Sequence, residues 1–177
     1  VLRAFDDDDA DDMFRNWATD DEVSRFLTWR PYTEIEDVCV TIRTWKLEYG
    51  NPDHYHWAIV KRDIGQVIGS ISVVDFSERN EVATIGYCIG RKFWGQGIAT
   101  EALMAVVKFL FCDVGFACIN ACHDPRNPKS GRVMIKCGMH YEGIRRRSGY
   151  NNLGVCDQVW YSILREEYDS METAVRC

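Results

Sequence analysis

One continuous stretch, Thr84-Ile85-Gly86-Tyr87-Cys88-Ile89-Gly90-Arg91-Lys92-Phe93-Trp94-Gly95-Gln96-Gly97-Ile98-Ala99-Thr100-Glu101-Ala102, constrains this chain more than any other. It reads as a strand, a glycine loop and the start of a helix, in that order. Ile98, Ala102, Val106 and Phe109 recur on one helical face. Gly95 and Gly97 lack Cβ, so the backbone can turn tightly there and aim its N–H groups at one point. The unpaired N–H groups of a helix start add partial positive charge. The combination is an anion site suited to a pyrophosphate. A nucleotide P-loop is excluded, because it needs G-K-[ST] where this chain has Gly97-Ile98-Ala99. A dinucleotide fingerprint is disfavoured, because Thr100 stands where its third glycine belongs.

The surrounding elements narrow the fold. Val1 to Phe5 alternates as a short strand, Asp6 to Trp17 reads as a helix with acidic first turns, and Glu22 to Phe26 as a further helical turn. Thr28 to Tyr32 is a loop broken by Pro31. Thr33 is expected to cap a helix over Glu34 to Tyr49, with Glu36 completing a capping box. His56 to Lys61, Val67 to Asp75 and Val82 to Ile89 read as three successive antiparallel strands. After the glycine loop and its helix come a strand at Ala117 to Cys122 and a short helix from Asn127-Pro128 to Lys136. Closing strands follow at Tyr141 to Arg147 and Val159 to Leu164, joined by a Gly149 to Gly154 loop. The expected fold is a single α/β domain over residues 1–168, a mixed and mostly antiparallel sheet flanked by helices, with a flexible tail at 169–177.

Composition excludes several classes. Hydrophobic residues make up 46% and charged residues 27% of the 177, as in an ordinary globular domain. No apolar run reaches the roughly 20 residues that cross a bilayer, so no membrane partner is expected. The net charge of -6 argues against a nucleic-acid partner. Within that balance, Arg91, Lys92, Arg126, Lys129, Arg132, Lys136 and Arg145 to Arg147 form a basic set in the later half, suited to a small polyanion. The eight cysteines include no C-x-x-C pair, and Val1 to Phe5 does not read as a secretory leader. Free thiols in a reducing, cytoplasmic setting are therefore expected. A zinc site at Cys118, Cys122 and His123 lacks the paired spacing of a closed tetrahedral site, so no metal is expected.

The stretch Gly86 to Ala102 resembles motif A of the GNAT N-acetyltransferase superfamily, and Trp94 to Ala102 is similar to its RimJ/RimL branch. Asn127-Pro128-Lys129-Ser130 and Lys136-Cys137-Gly138-Met139 resemble that branch's later N-P-x-S and K-x-G-F. The resemblance covers nearly the whole chain. It implies a splayed central strand pair, here Thr84–Ile89 and Ala117–Cys122, with the pantetheine arm of acetyl-CoA between them. The arm would pair with backbone at Cys88, Ile89 and Gly90. Amides from Phe93 through Trp94, Gly95, Gln96, Gly97, Ile98 and Ala99 would hold the pyrophosphate, and Asn127 would bind the arm. Asn127 could instead be a plain helix cap. Phe93 and Trp94 could be core packing.

The implied activity is transfer of acetyl from acetyl-CoA to an amine, which could be a protein N-terminus, a lysine, a polyamine or a small amine. The assembly would be a monomer or homodimer. Two departures from the family pattern matter. The tyrosine that often serves the leaving thiolate is Met134 here; in the RimL-like pattern a serine after the asparagine takes that role, and Ser130 matches it, with helix-start capping as its alternative. The strand glutamate of the branch is Thr84, which leaves Glu81 or Asp157, with His123 behind them, as candidate bases. For each, a plain surface or structural role is the readier explanation. Trp29, Tyr32 and Tyr150 are the candidate acceptor-binding residues; the first two could instead seal the core. The competing class is an acyl-CoA-binding sensor or scaffold with weak catalysis.

Overall fold

The computed structural model describes residues 1–176. Seven strands form one sheet: β1 (Leu2–Arg3), β2 (His56–Lys61), β3 (Gln66–Ser77), β4 (Val82–Ile89), β5 (Cys118–His123), β6 (His140–Asn151) and β7 (Gly154–Leu164). Their spatial order is β1-β2-β3-β4-β5-β7-β6. Every neighbouring pair is antiparallel except β4 and β5, which run parallel. The helices are α1 (Ala10–Met13), α2 (Asp21–Ser24), α3 (Ile35–Glu48), α4 (Ile98–Phe109), α5 (Pro128–Lys136) and α6 (Arg165–Arg176).

Strand alternation divides the sheet between two cores. On β4, Ala83, Ile85 and Ile89 face a core shared with Leu103, Val106 and Val107 of α4, Met134 of α5 and Ile163 of β7. The opposite face carries Ala58 and Val67 against Met13, Trp17, Val38 and Ile42 of the first helices. The two layers of helix over one sheet are the expected α/β architecture.

Several local expectations are corrected. The first helix is broken into a 3-10 turn (Asp7–Asp9), α1 and a π segment (Phe14–Ala18). Its acidic start is a set of anchors: Arg3 grips the buried Asp9 carboxylate at 2.6 and 2.7 Å, and Asp12 accepts the Val67 N–H at 2.9 Å. The capping box forms there, between Asp6 and Asp9, and not at Thr33. The α3 cap is Glu34, without a side-chain hydrogen bond. The closing strands extend further than expected, so Gly149 belongs to β6 and the connection shrinks to Asn152-Leu153. Asn151 causes this: its side chain accepts the Leu153 N–H at 2.9 Å and fixes a tight turn. The chain enters α6 at Arg165, and that helix continues through the residues expected as a tail as far as Arg176. Tyr168 packs on Phe111 at 5.4 Å, and the Glu167 carboxylate accepts the Leu164 N–H at the helix start. Cys177 lies outside the described residues.

Candidate active site

The chemistry-bearing residues gather where β4 and β5 part. The two strands are paired only at Val82↔Cys118, Ala83↔Ile119 and Thr84↔Asn120. Beyond Thr84 both continue, β4 to Ile89 and β5 to His123, without pairing to each other. The β5-facing edge of β4 is therefore open from Ile85 onward.

Ladder phase determines which groups face that gap. In an antiparallel pair the backbone groups of successive residues point to opposite edges. The Gly90 N–H donates to Ile68 O at 2.8 Å, so the even-numbered residues of β4 turn toward β3. Glu81 O accepts the Ala117 N–H at 2.8 Å, which confirms that odd-numbered residues turn toward β5. Cys88 is thus corrected: its backbone pairs with Ser70, and the open edge presents Tyr87 and Ile89 instead. Gly90 is corrected too. Its N–H is held by Ile68 O and its carbonyl accepts the Phe93 N–H. A Cβ there would lie 2.4 Å from Asn16 O, so this glycine admits the backbone of the Phe14–Ala18 π segment.

The glycine loop follows at once. Phe93 and Trp94 spend their amides on a 3-10 turn, bonding Gly90 O and Arg91 O, and so drop out of the expected amide cradle. Trp94 acts through its side chain: the indole N–H donates to Ile89 O at 2.7 Å. That closes the Ile89 carbonyl and leaves the Ile89 N–H facing the gap. Gly95 and Gly97 are both left-handed, with φ of 76° and 80°, and nothing lies within 4 Å of a Cβ built on either. Gln96 steadies the loop by donating to Lys92 O at 3.2 Å. Gly97 caps α4 with no side chain, and the first intrahelical bond is Glu101 N–H to Gly97 O. The N–H groups of Ile98, Ala99 and Thr100 precede that bond, so the helix leaves them for a ligand.

The other wall is α5. Pro128 occupies its first turn, where a missing N–H costs nothing. Asn127 is the cap residue by position, yet its side chain makes no cap hydrogen bond. Ser130 meets β4 across the gap: Tyr87 Oη lies 2.9 Å from Ser130 Oγ and 3.0 Å from Ser130 O. Burial pushes the Tyr87 phenol far above its ordinary range. Met134 is buried in the core and carries no hydroxyl toward the gap. Sequence reasoning missed Tyr87, although its place in an alternating strand was the available signal.

A second residue it missed is Asp124, buried just after β5. It accepts from Arg126 N, Nε and Nη2 at 2.8, 2.9 and 2.6 Å and from Asn151 Nδ2 at 2.8 Å. The Arg126 guanidinium holds its carboxyl well below the usual carboxylate range. The Asp-Pro-Arg sequence is a turn signal that could have exposed it. The Asp124 cluster fixes the loop that delivers Asn127 and Ser130.

Two of the candidate bases, Glu81 and Asp157, are not brought to this centre, whereas His123 ends β5 beside α5. Glu81 is exposed at the paired end of β4, the end away from the glycine loop, and has a left-handed φ of 54°. Asp157 accepts the Arg147 N–H at 2.8 Å and so stabilises a bulge of β6. His123 Nδ1 lies 2.8 Å from Asp124 O, an acceptor, so Nδ1 carries the proton. Its ring stacks on Tyr161 and meets α5 at Gly131. Alternation along β5 puts His123 on the face opposite Cys118 and Cys122, which separates the three residues weighed as a zinc site.

The two loops expected to flank an acceptor do come together. Asn152 in the β6–β7 turn donates to Ser24 O at 2.8 Å and Trp29 O at 2.7 Å. Trp29 and Tyr32 lie 5.8 Å apart and pack on the second core, and Tyr32 Oη is bonded to Thr41 Oγ1 at 3.0 Å. They seal the core where the loops meet. Tyr150 is exposed on β6. The basic set is partly committed: Arg91 pairs with Asp20 at 2.9 Å, Arg126 with Asp124, and Arg145 stacks on Trp160 at 4.0 Å. Lys129 lies 4.9 Å over the Trp94 ring, at the mouth of the gap.

Comparison with known proteins agrees with this geometry. The family described as Acetyltransferase (GNAT) domain matches residues 1–140. The chain is 31% identical over 165 residues to the uncharacterized N-acetyltransferase YoaA of Bacillus subtilis, covering 93% of each. Among solved structures, the ribosomal-protein-S5-alanine acetyltransferase from Vibrio fischeri superposes with a TM-score of 0.82 at 18% identity, over 93% of this chain and 92% of that one. The microcin C7 self immunity acetyltransferase MccE, solved in complex with acetyl-CoA and AMP, gives a TM-score of 0.80 at 21% identity, over 92% and 91%. Both share the fold.

Proposed function

The chain belongs to the GNAT acetyltransferase family and is an acyl-CoA-dependent N-acetyltransferase, and from that premise we propose that it transfers acetyl from acetyl-CoA to a protein N-terminal α-amine by direct attack in a ternary complex. The observation that carries the cofactor part is the open β4 edge running straight into the glycine loop. The residues fit the ligand. Tyr87 offers unpaired backbone to a pantetheine amide, and Ile89 keeps its N–H free. The Gly95–Thr100 turn offers converging N–H groups and open space to a pyrophosphate. Asn127 has a free side-chain amide beside the arm, and Lys129 adds positive charge at the mouth. When bound, acetyl-CoA supplies a thioester carbonyl. The Ile89 N–H is the donor for the negative charge that develops on its oxygen, and Ser130 is the hydroxyl nearest the leaving sulfur.

The choice of acceptor rests on proton chemistry. An α-amine has a pKa of about 7.7–8.0 against about 10.4 for lysine, so much of it is already neutral near pH 7.5. Neither Glu81 nor Asp157 reaches the gap, and an acceptor that needs little more than water as its base suits such a site. The Vibrio fischeri neighbour, named for a ribosomal-protein alanine, is a precedent on the same fold. A cytoplasmic setting fits the seven free cysteines among the described residues.

Calorimetric titration with acetyl-CoA, with desulfo-CoA and ATP as comparators, tests the cofactor. Saturable binding of the first without the last is expected. Thiol release with a peptide bearing a free N-terminal alanine, against its Nα-acetylated lysine-containing counterpart, tests the acceptor. Turnover on the second alone rejects the α-amine. The missing carboxylate base and the buried Met134 favour one second reading, an acyl-CoA-binding scaffold. It predicts tight acetyl-CoA binding with no thiol release on any amine.

A further inference from the structure

We propose that Tyr87 is a positioning residue that turns the Ser130 hydroxyl proton toward the leaving sulfur, so that β4 and α5 together supply what a single helix tyrosine would otherwise supply. The inference rests on the transferase reading above.

The geometry offers two hydrogen-bond arrangements. Tyr87 Oη has one proton and two acceptors in reach, Ser130 O at 3.0 Å and Ser130 Oγ at 2.9 Å. With the phenol proton on the carbonyl, the serine proton can point back at Oη and satisfy it. With the phenol proton on Oγ, the serine proton is released to a third partner. A sulfur gaining negative charge needs a donor, so it selects the second arrangement. The phenol donating into Oγ also polarises the serine O–H and strengthens it as a donor. Burial raises the phenol's pKa, so Tyr87 keeps its proton and acts as a permanent donor, not as an acid.

The chemistry balances without either hydroxyl losing its proton. The amine nitrogen forms a bond to the acetyl carbon, the C–S bond breaks, and its electron pair leaves on sulfur. Ser130 Oγ–H hydrogen-bonds that sulfur. The proton lost by the nitrogen passes to water, and water returns one to the thiolate. Met134 at the helix position leaves this cross-gap pair as the hydroxyl source.

The test compares Tyr87→Phe, Ser130→Ala, the double variant and Ser130→Thr. It uses thiol release with a free-N-terminal alanine peptide, a lysine peptide and spermidine as acceptors, and calorimetric Kd for acetyl-CoA. Each single loss of a hydroxyl should lower kcat about 10- to 100-fold, the range for a hydrogen bond to a charged group. The double variant should be no worse than the poorer single, because the two act as one unit. Ser130→Thr should recover most of the rate, and Kd should change by no more than about twofold. An unaltered kcat in Tyr87→Phe overturns the pairing. So do losses that multiply in the double variant, or a Kd that weakens in step with kcat. Wild-type protein that binds acetyl-CoA but acetylates none of the amines rejects the transferase reading, and the pairing with it; wild-type turnover beside an unaffected Tyr87→Phe rejects the pairing alone.

Discussion

At the scale of the residue, Gly97 shows how one missing Cβ can serve both conformation and ligand. Its φ of 80° is a strained region for any L side chain, costing about 1–2 kcal/mol. The space beyond its Cα is open, in the direction where the proposed pyrophosphate lies. Strain and steric loss can be separated, because Gly115 is also left-handed, at φ 98°, with equally open space, and lies between α4 and β5 away from the glycine loop. Gly97→Ala and Gly115→Ala should lower the melting midpoint by similar amounts. Only the former should weaken acetyl-CoA binding, by about tenfold or more, since a methyl group there competes with anion contacts of about 1.5–3 kcal/mol each. Equal effects of both variants on Kd would place the pyrophosphate elsewhere. Gly95 and Gly97 were legible in the sequence because a glycine pair before a helix has few other uses. Tyr87 and Asp124 were not, because their roles depend on partners 43 and 27 residues away that no local pattern links to them.

At the scale of the element, the strands that alternate between two cores were easiest to read. The bounds of β2 and β4 match the sequence pattern, since both of their ends are set by local turns. The β6–β7 hairpin was not, because its outer half is exposed and carries little hydrophobic period. Its length comes from polar contacts instead: Asn151 to Asp124, and Asn152 to the backbone at the end of α2 and in the loop that follows. The α3 cap failed for a related reason. A Thr-x-x-Glu pattern proposes a box, but the structure starts the helix one residue later. The Asn152 latch carries a prediction at this scale. Its two bonds join the turn to the Ser24–Trp29 loop, and partly exposed hydrogen bonds contribute about 0.5–1.5 kcal/mol each. Asn152→Ala should therefore raise KM for the amine acceptor several-fold and leave the Kd of acetyl-CoA unchanged. Altered acetyl-CoA binding without a change in acceptor KM would assign the hairpin to the cofactor side.

At the scale of the whole molecule, the sheet joins two cores with different tolerance of acid. The second core contains His56, 8% exposed and packed against Phe5 at 5.3 Å and Trp45 at 4.2 Å, with His54 at 6.0 Å. Burial, with the nearby His54 as a smaller contribution, lowers its pKa to about 4. An unfolded histidine titrates near 6.5, so below that pH the unfolded chain binds a proton that the native chain refuses. Stability should fall as pH drops from about 6.5 toward 4, by up to roughly 3 kcal/mol if the full difference is expressed. Asp124 acts lower on the scale. Its carboxyl is depressed chiefly by the Arg126 hydrogen bonds, so the stability it contributes is present above the ordinary carboxylate pKa and lost below it. The two groups therefore separate by window. His56→Phe should flatten the melting profile between pH 6.5 and 4.5 relative to wild type, whereas Asp124→Asn should leave the slope there intact and lower the midpoint at neutral pH. A wild-type melting midpoint that stays constant from pH 6.5 to 4.5 would mean that the second core opens to admit the proton. The two-layer fold would then be less cooperative than its shared sheet implies.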